Sequence, residues 1–197
     1  MEPSLLLLAF ALVLPAELPD KTMVATLLLS TRYRSWPVLL GASAAFAVQC
    51  VIAVAFGSVL TLLPDRIVAG VACLMFTVGA VLLLRRRGGG DDEEDADVAA
   101  RPGSTPWWRI AALSFGVLFT AEWGDVSQFA TAALTARFGD PLSVGLGAWL
   151  ALVTVATLAV LVGKGFALRL PTRWLQRIAG AIFAGLAVTA GVAVVLG

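Results

Sequence analysis

Residues 4–29 read SLLLLAFALVLPAELPDKTMVATLLL. The run exceeds the about 20 apolar residues that cross a bilayer, yet Glu17, Asp20 and Lys21 stand near its middle. An ionised carboxylate at that depth costs at least ~2.5–3.5 kcal/mol, so these residues mark a membrane helix with a polar task. Further apolar runs follow at about 38–63, 67–84, 110–134, 142–162 and 178–196. Runs this uniform do not separate strand from helix by periodicity, but their length does, and an open sheet leaves unpaired backbone in lipid. Six transmembrane helices are predicted. The whole chain agrees: 59% of its 197 residues are hydrophobic and 14% charged, against about 25% charged in soluble domains. Ahead of the first run there is no basic segment, and Leu14-Pro15-Ala16 stands where a small-x-small cleavage site belongs, so it is read as a retained span.

The fourth run carries the same pattern. Laying residues 17–33 on 122–138 without gaps matches Glu17 with Glu122, Asp20 with Asp125, Ala25 with Ala130, Thr26 with Thr131, Leu29 with Leu134 and Arg32 with Arg137. Gly41-Ala42 matches Gly147-Ala148 after a small insertion. Three spans per unit is an odd number, so the second unit enters the membrane from the opposite side. The predicted fold class is an all-α integral membrane protein of six transmembrane helices, built as two inverted three-helix repeats, 1–84 and 107–197. Between them, residues 85–106 open with Arg85-Arg86-Arg87 and Gly88-Gly89-Gly90, followed by an acidic run from Asp91 to Asp95 and a Pro/Gly/Ser/Thr stretch. That composition buries nothing and reads as a disordered cytoplasmic linker. Eleven Lys and Arg fall on the linker side and two on the other, with Lys21 inside the first span. The positive-inside rule then puts both termini outside a cell (plasma) membrane.

Net charge of +1 gives no basis for binding nucleic acid, and histidine is absent. Cys50 and Cys73 lie in apolar runs and read as small buried hydrophobes, with no disulfide framework or zinc site. Ion chemistry is left to oxygen. The i, i+3 spacing puts Glu17 and Asp20 on one helical face, and Glu122 and Asp125 likewise. Pro19 removes a backbone donor and Gly124 weakens the fourth helix at the matching place, exposing carbonyls nearby. Thr22, Ser127 and Gln128 add oxygens, as do Thr26 and Thr131 unless these bond their own helices. The candidate metal ligands are therefore Glu17, Asp20, Glu122, Asp125, Thr22, Ser127 and Gln128, with Lys21 balancing charge. An all-oxygen set favours Mn2+, Ca2+ or Mg2+ over zinc or copper, and Mg2+ dehydrates reluctantly.

Two copies of Glu-x-Gly-Asp-(Lys/Arg)-(Thr/Ser), in the first and fourth of six helices, resemble the Gdt-type cation/proton exchangers. The resemblance covers both halves, and Glu17, Asp20, Lys21, Thr22, Glu122, Gly124, Asp125, Ser127 and Gln128 match it. Pro19 stands where the family has Gly, Met23 where it often has Gln, and Val126 where it has Lys or Arg. It implies export of Mn2+, or of Ca2+ in some members, against protons, with the motif acids as ligands and proton carriers. Metal and protons are then substrates, no cofactor is required, the protein is not an enzyme, and a homo-oligomer is admitted. A small-solute or amino-acid exporter of similar plan is the runner-up, with Lys21 holding a substrate carboxylate. An intramembrane aspartyl protease using Asp20 and Asp125 leaves Glu17 and Glu122 idle, and a scaffold leaves all four acids unexplained.

Overall fold

The computed structural model describes residues 1–18, 21–85, 105–167 and 172–196. Most of the expected linker, residues 86–104, lies outside the described residues, as do Pro19 and Asp20. The described chain is helical throughout: α1 (Pro3–Glu17), α2 (Lys21–Arg32), α3 (Ser35–Leu60), α4 (Asp65–Arg85), α5 (Trp107–Ala121), α6 (Val126–Phe138), α7 (Pro141–Ala167) and α8 (Thr172–Leu196). The first and fourth apolar runs are thus each two helices rather than one. Among the described residues, α3 and the 141–161 part of α7 are long and apolar enough to cross a membrane. The pair α1–α2 qualifies as a third, bent by 72°, whereas α4, α5 and α8 carry shorter apolar stretches.

Local chemistry sets the helix ends. Pro3 opens α1 and Pro141 opens α7, where a missing N–H costs nothing and φ is already helical. Asp140 caps α7, its Oδ1 accepting the backbone N–H of Ser143 at 3.1 Å. Gly139 ends α6 at φ +68, in the left-handed region that favours glycine.

Packing crosses the two halves. Helix α1 lies along α7, and α5 lies along α3; α2 also touches α7, and α6 touches α3. Exchanging α1 with α5, α2 with α6 and α3 with α7 turns each of these pairings into another. The closest approaches obey the same exchange. A Cβ on Gly41 of α3 would lie 2.2 Å from the carbonyl oxygen of Ala111 on α5, and one on Gly147 of α7 would lie 2.3 Å from that of Leu6 on α1. Lipid supplies no hydrophobic drive between helices, so small residues that let backbones meet carry such contacts. Helices α3 and α7 also pack together, with Trp149 Nε1 donating to the Ser43 carbonyl at 3.0 Å. Outside them α4 lies against α8, where Phe76 and Phe183 meet edge to face at 6.0 Å.

Candidate metal site

Two breaks in helical backbone build the site. In the first, α1 stops at Glu17, and Leu18 turns extended at φ −91, ψ 126 before α2 resumes at Lys21. In the second, α5 stops at Ala121 and α6 starts at Val126. The chain turns on Gly124, whose φ of +74 is open to glycine at no steric cost. Gln128 holds this turn through its side-chain Oε1, which accepts the Gly124 N–H at 3.0 Å. The Trp123 N–H bonds the Thr120 carbonyl instead of that of Phe119. Phe119 thereby keeps a carbonyl without its helical donor, and Gln49 of α3 supplies one: Nε2 donates to it at 2.9 Å.

These breaks bring Glu17, Glu122 and Asp125 together. One carboxylate oxygen from each lies within 4.8 Å of the others, and the residues are 1%, 1% and 6% exposed. Thr22 joins the two halves, since its hydroxyl donates to Glu17 Oε2 at 3.0 Å and also hydrogen-bonds Glu122 Oε1. Three carboxylates this close in a buried place require compensating positive charge, and the oxygen donors are of the kind that a hard cation takes. Two of the three acids stand in the second break itself, Glu122 just after α5 and Asp125 just before α6, while Glu17 is the last residue of α1.

Other expected ligands have other surroundings. Ser127 is buried in the first turn of α6, and its carbonyl accepts the Thr131 hydroxyl at 2.7 Å. Gln128 has its oxygen engaged by Gly124, so in this conformation its amide supports the turn. Asp20 and the side chain of Lys21 lie outside the described residues. Val126 and Met23, both departures from the family pattern, are buried among apolar neighbours: Val126 in the main core, Met23 with Val155 and Ala159. Of the two matched threonines, Thr131 bonds its own helix while Thr26 is fully buried with no partner for its hydroxyl among the described residues. Gln49 was not among the predicted site residues; a lone Gln in the apolar run from residue 38 to 63 is the signal that points to it.

The family model of the divalent cation/proton antiporter GDT1 matches residues 5–91 and 110–195. A GDT1-like protein of Synechocystis is 32% identical over 185 residues, covering 87% of this chain and 89% of that protein. GDT1-like protein 3 of Arabidopsis thaliana is 26% identical, covering 92% of this chain and 68% of its own length. The chloroplastic PAM71-homolog of the same plant is 28% identical, with 89% and 55% covered. No solved structure matches the chain. The chain belongs to the GDT1 family of divalent cation/proton antiporters, membrane transporters rather than enzymes, for which the ions are substrates and no cofactor is indicated.

Proposed function

We propose that this chain exports a divalent cation, Mn2+ first and Ca2+ next, in exchange for protons, through a site made by Glu17, Asp20, Glu122 and Asp125. The observation that carries the reading is the meeting of Glu17 with Glu122 and Asp125, buried and within reach of one ion. Oxygen-only donors suit hard cations, and Mn2+ and Ca2+ accept several protein oxygens more readily than Mg2+ does. Protons and metal compete for the same oxygens, so loading one unloads the other. Exchange follows if only the metal-loaded and protonated forms change the direction they face.

The membrane arrangement belongs to the same reading. Helices α1–α2 form one broken span and α5–α6 another; with α3, α4, α7 and α8 they make six, as two inverted repeats of 1–84 and 107–197. Support comes from the gap-free match of residues 17–33 to 122–138 and from the packing that survives exchange of the halves. The cation asymmetry of the loops supports termini outside and residues 85–106 in the cytoplasm of a plasma membrane. Flux into proteoliposomes under gradients of Mn2+, Ca2+ and Mg2+, followed with an internal pH dye, tests the function. Proton movement driven by Mn2+, weaker with Ca2+ and least with Mg2+, is expected; none with any of the three would sink the proposal.

A further inference from the structure

Helices α2, α3 and α5 lead from the carboxylates to the end of the bundle where Arg32, Arg34 and Arg109 are exposed. Their layers are ordered. Next to the carboxylates Thr22 of α2 meets Glu122, and Gln49 of α3 holds Phe119 of α5. Farther out Gly41 of α3 lies against Ala111 and Ser114 of α5. At the end Leu29, Val38 and Ile110, one residue from each helix, form a small apolar cluster separate from the main core.

Between the carboxylates and this cluster stand two hydroxyls. Thr26 is one turn along α2 from Thr22, and Ser114 is one turn along α5 from Ile110. Both residues are 0% exposed, and neither hydroxyl has a hydrogen-bond partner among the described residues. The hydroxyl of Tyr33, packed against the Leu29–Val38–Ile110 cluster, is likewise without one. A buried polar group left unsatisfied costs about 1–3 kcal/mol, and the ordinary remedy is water.

The matched positions of the other half differ in each respect. Thr131 takes the place of Thr26 and bonds the Ser127 carbonyl. Ala9, in the register that pairs Glu17 with Glu122, takes the place of Ser114. Leu134 and Val144, opposite numbers of Leu29 and Val38, belong to the main core. One end is hydrogen-bonded and continuous with the core, and the other has a separate apolar cluster beside unsatisfied hydroxyls.

We propose that Thr26 and Ser114 line a water-holding chamber beneath a hydrophobic gate of Leu29, Val38 and Ile110, and that the hydrated divalent cation reaches the carboxylates through it from the Arg34 end. The inference rests on the transport reading of the carboxylates. Hydroxyl oxygens there replace waters that the ion sheds, and an apolar layer of this kind closes by excluding water.

Thiol protection by silver ion tests it without requiring transport. In full-length protein carrying C50A and C73A, single cysteines are placed at Thr26, Ser114, Ala9 or Thr131, and Arg34→Cys marks its own face in oriented vesicles. After silver nitrate is applied from one face, thiols left unreacted are counted with a maleimide mass tag in denaturant. T26C and S114C should react from the Arg34 face at least about tenfold faster than A9C and T131C from either face, and opening the gate with V38S should quicken them further. Equal rates at all four positions, or faster reaction from the opposite face, overturn the chamber. Silver access as expected with no Mn2+-driven proton flux from the cysteine-free parent would leave the chamber standing and remove the transport reading.

Discussion

Glu17, Glu122 and Asp125 have little room to be spared, because each supplies one of three oxygens that converge within 4.8 Å. Weakening even an outer-shell partner of a metal site costs about 10–100-fold, so loss of a direct ligand is expected to cost about 100-fold or more. Asp125→Asn and Glu17→Gln should therefore abolish Mn2+-dependent proton movement in proteoliposomes while the protein still inserts; either variant exchanging at the wild-type rate refutes the ligand assignment. On the proposed competition of protons and metal for the same oxygens, apparent Mn2+ affinity should also weaken as pH falls. A pH-independent affinity would uncouple them. Gln49 has a different part. Gln49→Leu leaves the half-buried Phe119 carbonyl without its donor, at about 1–3 kcal/mol or less, and should lower the melting temperature and raise KM for Mn2+ with a smaller change in maximal rate. The acids were legible in sequence because lipid makes any mid-span charge conspicuous. Gln49 was not, because its task exists only once the neighbouring helix breaks and frees a carbonyl.

At the scale of elements, the two breaks decide whether the acids meet. Gly124 sits at φ +74, where a Cβ costs about 1–2 kcal/mol. Open space surrounds it, so Gly124→Ala tests backbone conformation alone. Slower Mn2+ exchange and a lower melting temperature are expected, and an unchanged melting temperature would show that the turn is not held at this φ. In the sequence Pro19 and Gly124 marked weak points in the two runs without fixing a break, and hydropathy merged each broken pair into one run, since α1 and α2 are apolar on both sides of the gap. It likewise matched Thr26 with Thr131 and could not tell them apart. Both threonines have a carbonyl four residues back, and only Thr131 bonds it.

Over the whole molecule, the first residues are tied to the loop before α7. The Glu2 N–H donates to Asp140 Oδ2 at 3.0 Å and to the Ser143 hydroxyl at 2.7 Å, and that hydroxyl donates to Asp140 Oδ2 at 2.6 Å. The hydrogen bonds from Ser143, with that from Glu2, lower the Asp140 carboxyl to about 2 from its ordinary 3.8. A depressed pKa means the ionised form is favoured by folding, so the contribution is complete above about pH 4 and is lost as pH falls toward about 2. Asp140→Asn should lower the melting temperature at pH 6, with the gap to wild type closing by about pH 2; a gap that persists there would mean the carboxylate charge is not what holds the loop. The crossed packing of the halves has a further consequence, for biosynthesis. The partner of α1 is α7, so α1 waits in the membrane while about 120 residues are translated, roughly 6–25 s at ~5–20 residues/s. During that interval the backbone surface at Leu6, which Gly147 later covers, is open to other membrane proteins or to an insertion chaperone. Because α1 packs on α7 and α5 on α3, residues 1–85 and 105–197 produced as separate chains in one cell should find each other and restore exchange that neither piece performs alone.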